Sequence, residues 1–198
     1  MEAKGTVNDF AFIPLRKLIA RSVSIEKLRT SLVAFACKKD EDVQNFLRKD
    51  AIDYEISNKS RTYICHDTKG TVVGYFTLAV HSIEASPQLI AKFSEKLKLS
   101  ALKSFKYMRP FIPAYLLSLV GKDDNASVSG FLTHAMQIIK KAIAAAQDVV
   151  GGQIIYLDCQ RNLMSLYEKQ GFTYFRDNPD NKNNSNRNDD LFQMWQIL

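Results

Sequence analysis

The sequence has no continuous run of about 18 apolar residues, the length that a helix needs to cross a bilayer. Its first nine residues, Met1–Asp9, carry mixed charges and no apolar stretch, so they do not resemble a secretory signal. Only three cysteines are present, and no two of them form a Cys-x-x-Cys pair. We therefore predict that the three cysteines, Cys37, Cys65 and Cys159, are reduced, mostly buried thiols of a cytoplasmic protein and do not form a disulfide framework.

Histidine is equally scarce, and His66, His81 and His134 fall in separate predicted elements without the spacing of metal ligands. We therefore expect no metal site. The chain shows no internal repeat and no linker rich in Pro, Gly or Ser. Its 198 residues, 46% of them hydrophobic and 24% charged, are typical of one soluble globular domain over residues 1–198. This balance excludes a disordered tail and a coiled coil.

The positive charge is concentrated in one segment. The chain carries 27 Lys and Arg against 21 Asp and Glu, a net charge of +6. Within Lys92–Arg109, six basic residues stand against Glu95 alone. Such a segment is typical of surfaces that attract phosphate-rich partners, and equally of the solvated face of a surface helix.

Periodicity predicts helices first and then a hairpin in the amino-terminal half. Apolar residues spaced three or four apart predict a helix over Ser24–Ala36, with Ser24 as its N-cap, and a second helix over about Lys39–Ile56. Two strands, Arg61–Asp67 and Thr71–Val80, flank the turn Asp67-Thr68-Lys69-Gly70.

The second half predicts a strand, helix, strand unit followed by shorter elements. A largely apolar strand over Phe111–Val120, beginning at or just after Pro113, leads into a polar loop, Gly121–Ser129. A helix over Gly130–Val150 then ends at Gly151-Gly152, before a strand at Gln153–Cys159. This spacing predicts a right-handed crossover between two parallel strands. The remaining predictions are a helix at Asn162–Lys169 and strands at Thr173–Arg176 and Leu191–Ile197.

The first candidate for chemistry is the start of the long helix. The residues there are Asn125, Ala126, Ser127, Val128, Ser129 and Gly130. Unpaired N–H groups and a partial positive charge at a helix start favour phosphate, and small side chains let it approach the backbone. The alternative is that Ser129 only caps the helix and that this loop binds no phosphate.

The second candidate is the run Asn162-Leu163-Met164-Ser165-Leu166-Tyr167-Glu168-Lys169-Gln170-Gly171-Phe172. Leu163, Leu166 and Tyr167 fall on one helical face, which also fits simple core packing. Taken with the preceding strand and loop, however, the run closely resembles the second half of the GCN5-related N-acetyltransferase (GNAT) family. Upstream, Phe46-Leu47, Thr62-Tyr63 and Gly74–Leu78 are similar to a bacterial subgroup that includes acetyltransferase toxins acting on aminoacyl-tRNA.

The resemblance covers the chain from about Phe35 to Ile197. It implies an α/β (α+β) protein of the GNAT fold, with a mixed central sheet of six to seven strands and flanking helices. It also implies acetyl-CoA as cosubstrate, with its pantetheine arm along the backbone of Leu117, Ser118, Leu119 and Val120. In this arrangement an N–H near Leu119 polarises the thioester carbonyl. The loop Asn125–Gly130 then holds the pyrophosphate, Asn162 belongs to the coenzyme site, and Tyr167 is the general acid.

The chain departs from the family in this loop. The family pattern is Arg/Gln-x-x-Gly-x-Gly/Ala, whereas Asn125 and Val128 replace its first two marked positions and Gly130 alone is kept. A β-branched side chain at Val128 would hinder a close approach of phosphate to the backbone. Either the loop takes another path, or coenzyme binding is weak or lost. The second outcome would make the chain a non-catalytic binding or regulatory module of the same fold.

The acceptor is a primary amine that must be neutral to attack. A lysine-like amine of pKa about 10.4 needs a general base, whereas water suffices for an α-amine of pKa about 8. Glu84 and His81 are candidate bases, and surface polar residues in the plainer interpretation. The basic segment with its aromatic residues favours a tRNA-linked amine. The resemblance further allows an antitoxin partner and a homodimer, while RNA binding without acetyl transfer is a third alternative.

Overall fold

The computed structural model describes residues 10–84, 111–182 and 190–198. Contacts between Cα atoms divide the chain into two compact units. The first unit comprises the described residues up to Ala79 together with Leu117–Ala144. The second unit comprises the described residues of Val80–Leu116 and of Ala145–Leu198. The expectation of one domain over residues 1–198 stays a prediction, and the basic segment Lys92–Arg109 lies outside the described residues.

The fold is α+β, built on a mixed sheet of seven strands in the order β1-β2-β3-β4-β5-β7-β6. The elements along the chain are β1 Phe10–Pro14, α1 Leu15–Arg21, α2 Ile25–Leu32, α3 Glu41–Asn45, a π-helical turn Phe46–Asp50, α4 Ala51–Ile56, β2 Arg61–Asp67, β3 Val72–Glu84, β4 Phe111–Lys122, α5 Phe131–Val150, β5 Ile154–Gln160, a 3-10 turn Arg161–Leu163, α6 Met164–Glu168, β6 Thr173–Asp177, a 3-10 turn Pro179–Lys182 and β7 Leu191–Ile197. The predicted mixed sheet of six to seven strands is confirmed.

In the first unit, β1, β2 and β3 pair antiparallel. The predicted turn joins β2 to β3. It is stabilised by Asp67 Oδ1, which accepts hydrogen bonds from the amides of Lys69 and Thr71 at 2.9 and 2.8 Å. Gly70 occupies a left-handed conformation there, with φ +82°. The helices α1 to α4 pack on this part of the sheet around a core that contains Leu15, Leu32, Phe35, Val43, Leu47, Ala51, Ile52, Ile64 and Tyr75.

In the second unit, β4 and β5 pair parallel, as the crossover predicts, with Tyr115 opposite Ile155 and Leu116 opposite Tyr156. Antiparallel pairing with β7 and then β6 completes this part of the sheet. The predicted stop of the long helix is also found, because Gly151 and Gly152 both have positive φ, +72° and +113°. The core of this unit contains Ile83, Ile112, Ala114, Ile154, Tyr156, Phe175 and Trp195.

Several predicted boundaries are wrong. Helix α2 ends at Leu32 and not at Ala36. Ser24 does occupy the predicted N-cap position, but its side chain makes no capping hydrogen bond. The Ser22 hydroxyl instead donates to the Ser24 carbonyl at 2.7 Å and accepts from the Ser24 amide at 3.3 Å. Strand β3 continues to Glu84, four residues beyond the predicted end. The sequence pattern also did not predict β1 and α1.

Strand β4 begins before Pro113, contrary to the expectation that it starts at or after this residue. Proline has a fixed φ and no N–H group, and a strand tolerates it where no backbone donor is required. The side chain of Pro113 is exposed. At its other end β4 continues through Gly121 and Lys122, which were predicted to open the polar loop.

Candidate active site

The end of β4 is held by packing on two sides. Leu117 is buried and Ser118 is exposed. Leu119 packs against the core formed with α1 to α4, whereas Val120 packs against a second apolar cluster. We name that second group of residues the Phe131 cluster; its buried members are Phe10, Cys65, Val73 and Phe131. Leu119 and Val120 point to opposite faces of the strand and pack in different clusters, so the backbone of this strand end is held from both sides.

A buried carboxylate fixes the loop that follows β4. The Asp123 side chain accepts from the Ala36 amide at 2.7 Å and from the Asn125 amide at 2.8 Å. Its own amide donates to the Val73 carbonyl at 3.0 Å, and its carbonyl accepts from the Ala126 amide at 3.1 Å. Asp123 is only 7% exposed. Sequence reasoning missed this residue, although an acidic residue directly after a buried strand is a recognisable signal for a loop clamp.

Side chains alternate along the loop. Ala126 and Val128 are partly buried and pack against the Phe131 cluster, whereas Ser127, Ser129 and Gly130 are exposed. The Val128 carbonyl accepts a hydrogen bond from Lys122 Nζ at 3.1 Å. The exposed edge of the loop is therefore made of two serines and a glycine, and the Val128 side chain lies on the inner side.

The start of α5 adds backbone donors to this edge. Gly130 has φ +67°, and its carbonyl accepts from the His134 amide at 3.0 Å. Within the described residues, the amides of Ser127 to Phe131 donate to no protein acceptor. The helix that begins at Phe131 has 20 residues. A helix start with unpaired amides carries a partial positive charge, which favours an anion.

Two glycines, Gly74 and Gly121, make this packing possible, a role that the sequence did not predict for either of them. A Cβ on Gly74 would lie 2.5 Å from the Phe131 ring and 2.6 Å from the Gly121 carbonyl oxygen. A Cβ on Gly121 would meet the Tyr75 and Phe35 rings at 3.0 and 3.1 Å and would overlap Val43 Cγ1. Both distances to the rings are below ordinary van der Waals contact. Glycine at position 74 therefore lets Phe131 anchor the start of α5 against β3, and glycine at position 121 lets the end of β4 pack against Val43 and two aromatic rings.

Tyr167 lies in the second unit, on α6, and is 9% exposed. Its ring meets Phe172 edge-on, with ring centroids 5.9 Å apart. Burial raises the pKa of Tyr167 well above its ordinary value, and the nearby Cys159 adds to the shift. The phenol is therefore neutral and keeps its proton at physiological pH. Leu163 and Leu166, predicted to share its inward face, are instead 38% and 42% exposed.

The other predicted residues of the second unit are exposed. Asn162 lies in the 3-10 turn before α6, and Glu84 is the last residue of β3. His81 lies on the opposite face of β3 from Glu84, since their spacing is odd. The His81 ring packs against Tyr156, with centroids 5.7 Å apart. The two candidate bases therefore do not act as a pair on one face of the strand.

The predicted site residues divide between the two units. The strand end and the loop, Leu117–Val120 and Asn125–Gly130, come together in the first unit. Glu84, Asn162 and Tyr167 belong to the second unit. Elsewhere in the first unit, buried Glu55 lies 3.7 Å from Arg16 Nε and 3.3 Å from an Arg61 guanidinium nitrogen.

No protein-family model matches the sequence, and no curated protein matches it. Solved structures do match. AtaT in complex with acetyl-methionyl-tRNAfMet has a TM-score of 0.62 at 18% identity, over 93% of this chain and 94% of AtaT. A tyrosine-to-phenylalanine mutant of KacT has a TM-score of 0.63 at 13% identity, over 93% of this chain and 94% of KacT. This chain has the GNAT fold.

A third GNAT-fold structure shows this architecture with ligands. A mutant of the toxin AtaT, bound to acetyl-CoA and to the C-terminus of the antitoxin AtaR, matches with a TM-score of 0.57 at 17% identity, over 96% of this chain and 94% of AtaT. Likeness at this level of identity establishes the fold. No helix among residues 10–84, 111–182 and 190–198 is long and apolar enough to span a membrane.

Proposed function

We propose that this chain is a cytoplasmic N-acetyltransferase that moves the acetyl group of acetyl-CoA to a primary amine in a ternary complex. The observation that carries the proposal is the loop before α5. Its apolar side chains pack inward, its residues Ser127, Ser129 and Gly130 are exposed, and the amides of these three residues donate to no acceptor among the described residues. Small residues and free amides at a helix start suit a pyrophosphate. AtaT, a protein of the same fold, was solved with acetyl-CoA.

In this proposal the coenzyme uses the backbone more than side chains. The loop Asn125–Gly130 holds the pyrophosphate, and the strand end Leu117–Val120 runs beside the pantetheine arm. Asn162, an exposed amide side chain, completes the coenzyme site. The departure at Val128 does not weaken this assignment, because its side chain packs against the Phe131 cluster. The loop thus keeps an open edge without the family's first glycine.

The reaction is a direct transfer. The neutral amine attacks the thioester carbonyl carbon, so that a C–N bond forms and the carbonyl electrons move to oxygen. An N–H near Leu119 donates to this oxyanion, an interaction typically worth about 3 kcal/mol. The intermediate then collapses, the C–S bond breaks with its electron pair on sulfur, and Tyr167 supplies the proton that makes CoA a thiol. The amine loses one proton to a base or to water.

Burial keeps Tyr167 in its protonated form, because it raises the pKa of the phenol. The same shift makes the phenol a weaker acid, so its proposed role is a hydrogen bond to the departing sulfur that becomes proton transfer as the C–S bond breaks. A free thiol has a pKa of about 8.5, which makes the thiolate a fair leaving group without full proton transfer. The same apolar surroundings that disfavour a tyrosinate also disfavour a thiolate, so both groups gain from sharing the proton. General acid catalysis of this kind contributes about 10²-fold.

Glu84 is the general base that we propose for a lysine-like amine. Its carboxylate is exposed at the end of β3, where solvent can carry the proton away. For a lysine-like amine of pKa about 10.4, deprotonation at pH 7 costs roughly 4.6 kcal/mol, whereas an α-amine of pKa about 8 costs about 1.4 kcal/mol. An α-amine would therefore make Glu84 nearly dispensable.

A narrower candidate follows from the likeness to AtaT, which was solved with acetyl-methionyl-tRNAfMet. In this version the acceptor is the α-amine of an aminoacyl-tRNA, the chain acts as a toxin, and an antitoxin of its own and a second copy of the chain are its protein partners. Acetylation of aminoacyl-tRNA, measured beside acetylation of free amino-acid amides at equal concentration, separates this candidate from an enzyme of small amines.

The experiment that tests the general acid is Tyr167→Phe, with acetyl-CoA affinity measured by calorimetry and kcat measured by acetyl transfer. We expect kcat to fall by about 10²-fold while the acetyl-CoA Kd stays within about twofold. Tyr174→Phe is the matched control, since it removes the same atom from an exposed tyrosine of the second unit and should leave both values unchanged.

Three outcomes would count against the proposal. Equal kcat in the Tyr167 variant and the wild type would remove this residue from the mechanism. Loss of acetyl-CoA binding in that variant would make Tyr167 a binding residue. The absence of heat or thermal shift with millimolar acetyl-CoA in the wild type would support the non-catalytic module, because the open loop edge would then hold no coenzyme.

A further inference from the structure

Two distant segments of the first unit meet at a pair of aspartates. Asp123 accepts from the Ala36 amide at 2.7 Å, although 87 positions separate the two residues. Asp124 donates its amide to the Ala36 carbonyl at 2.8 Å, and its carboxylate accepts from the Lys38 amide at 2.8 Å. These three bonds fix the residues after α2 to the beginning of the proposed coenzyme loop.

The Asp123 carboxylate serves both sides at once. One oxygen accepts from the Ala36 amide and the other accepts from the Asn125 amide at 2.8 Å. The group is 7% exposed, so water offers little replacement for either bond. A shift of the loop amide therefore changes the position of the carboxylate that also holds Ala36.

Hydrogen bonds connect the segment after Ala36 to α3. The Cys37 amide donates to Gln44 Oε1 at 3.1 Å, and the Asp40 amide donates to the Cys37 carbonyl at 3.1 Å. Asp40 is the N-cap of α3, and its side chain accepts from the Val43 amide. Residues 36–40 are thus a short connector between the loop clamp and a helix.

We propose that Asp123 is a positioning residue that couples the connector, residues 36–40, to the coenzyme loop, so that acetyl-CoA bound at the loop restrains the connector. This inference rests on the proposed function for its ligand. Coupling of this kind is reciprocal: if bound acetyl-CoA holds the connector in the position described here, a connector held in that position binds acetyl-CoA more tightly. Both carboxylate oxygens of buried Asp123 accept from backbone amides, so the action that we propose for it is indirect.

The connector contains its own reporter. Cys37 is partly exposed, whereas Cys65 and Cys159 are buried. Brief reaction of the full-length protein with excess iodoacetamide, followed by mass spectrometry of the Cys37 peptide, measures how often the connector opens. We expect saturating acetyl-CoA to slow labelling of Cys37 about fivefold to tenfold, within the usual range of coupling between sites. The two buried cysteines serve as internal standards.

The variant that breaks the coupling is Asp123→Asn. The amide keeps the size of the side chain but offers one acceptor oxygen where the structure needs two, so one of the two N–H bonds is lost. At acetyl-CoA concentrations that saturate the variant, protection of Cys37 should fall below about twofold. Asp50→Asn is the matched control, because it makes the same charge change at an exposed position and should keep the wild-type protection.

Each other outcome overturns the coupling. If acetyl-CoA binds the wild type by calorimetry but leaves Cys37 labelling unchanged, the coupling is wrong and the proposed function stands. Undiminished protection in saturated Asp123→Asn would mean that acetyl-CoA shields Cys37 directly. Absence of acetyl-CoA binding in the wild type would refute both proposals together. Should Asp123→Asn not fold, Asp124→Ala removes the carboxylate that accepts from the Lys38 amide and must reduce the protection in part.

Discussion

Replacing Val128 with glycine decides between two interpretations of the loop before α5. In the sequence, this valine stands where the GNAT pattern has glycine, so its removal would be expected to open the loop to phosphate. In the structure its side chain packs against the Phe131 cluster, and its carbonyl accepts a hydrogen bond from Lys122. The structure therefore predicts that Val128→Gly loses packing and gains no room for a ligand.

The magnitude follows from the partial burial of the side chain. Val128→Ala removes two methyl groups, each worth about 0.8 kcal/mol when fully buried, so the free energy of unfolding should fall by about 1 kcal/mol. Val128→Gly adds the freedom of a glycine backbone, about 0.5–1 kcal/mol more. Ordering one such residue on binding costs about 1 kcal/mol, which corresponds to a roughly fivefold weaker acetyl-CoA affinity for the glycine variant.

Chemical denaturation and calorimetry with acetyl-CoA measure the two effects separately. Val149→Ala, at a position 82% exposed on α5, is the matched control and should change the free energy of unfolding by less than about 0.5 kcal/mol. A Val128→Gly protein that is as stable as the wild type and binds acetyl-CoA about tenfold more tightly would refute the inward placement.

Two further predictions concern the packing and the titration of the first unit. Gly121→Ala should lower the free energy of unfolding by about 2–3 kcal/mol. Val43→Ala removes the Cγ1 that a Cβ at position 121 would overlap. The double variant should therefore be at least about 0.5 kcal/mol more stable than the sum of the two single effects predicts. Strict additivity in a denaturation cycle would contradict the steric overlap at Gly121. Burial lowers the pKa of His66 below its ordinary value of 6.5. As the pH drops, the unfolded chain therefore binds a proton at His66 before the folded chain does. The free energy of unfolding is highest above pH 6.5 and falls as the pH drops through the folded-state pKa. His66→Gln should flatten this decrease between pH 7 and 5 in denaturant melts, and an unchanged slope would show that other groups cause it.

Local patterns determined much of the fold. The turn Asp67–Gly70, the long helix that ends at Gly151 and the parallel pairing of β4 with β5 all depend on residues close in the sequence or on a spacing that topology restricts. The run around Tyr167 likewise carried its own resemblance. The helical pattern placed Tyr167 on an inward face together with Leu163 and Leu166. Tyr167 is buried as this pattern predicts, whereas Leu163 and Leu166 are exposed.

What only the tertiary structure decided are the contacts between residues far apart in the chain. The direction of the Val128 side chain depends on the Phe131 cluster, whose members come from three strands and a helix. The role of Asp123 depends on an amide 87 positions away, and the need for glycine at position 121 depends on Val43, Phe35 and Tyr75. Periodicity reports which face of an element is apolar, but it does not report what that face meets. The sequence by itself therefore located the loop before α5 that we propose for the coenzyme, and long-range packing decided which of its residues remain exposed.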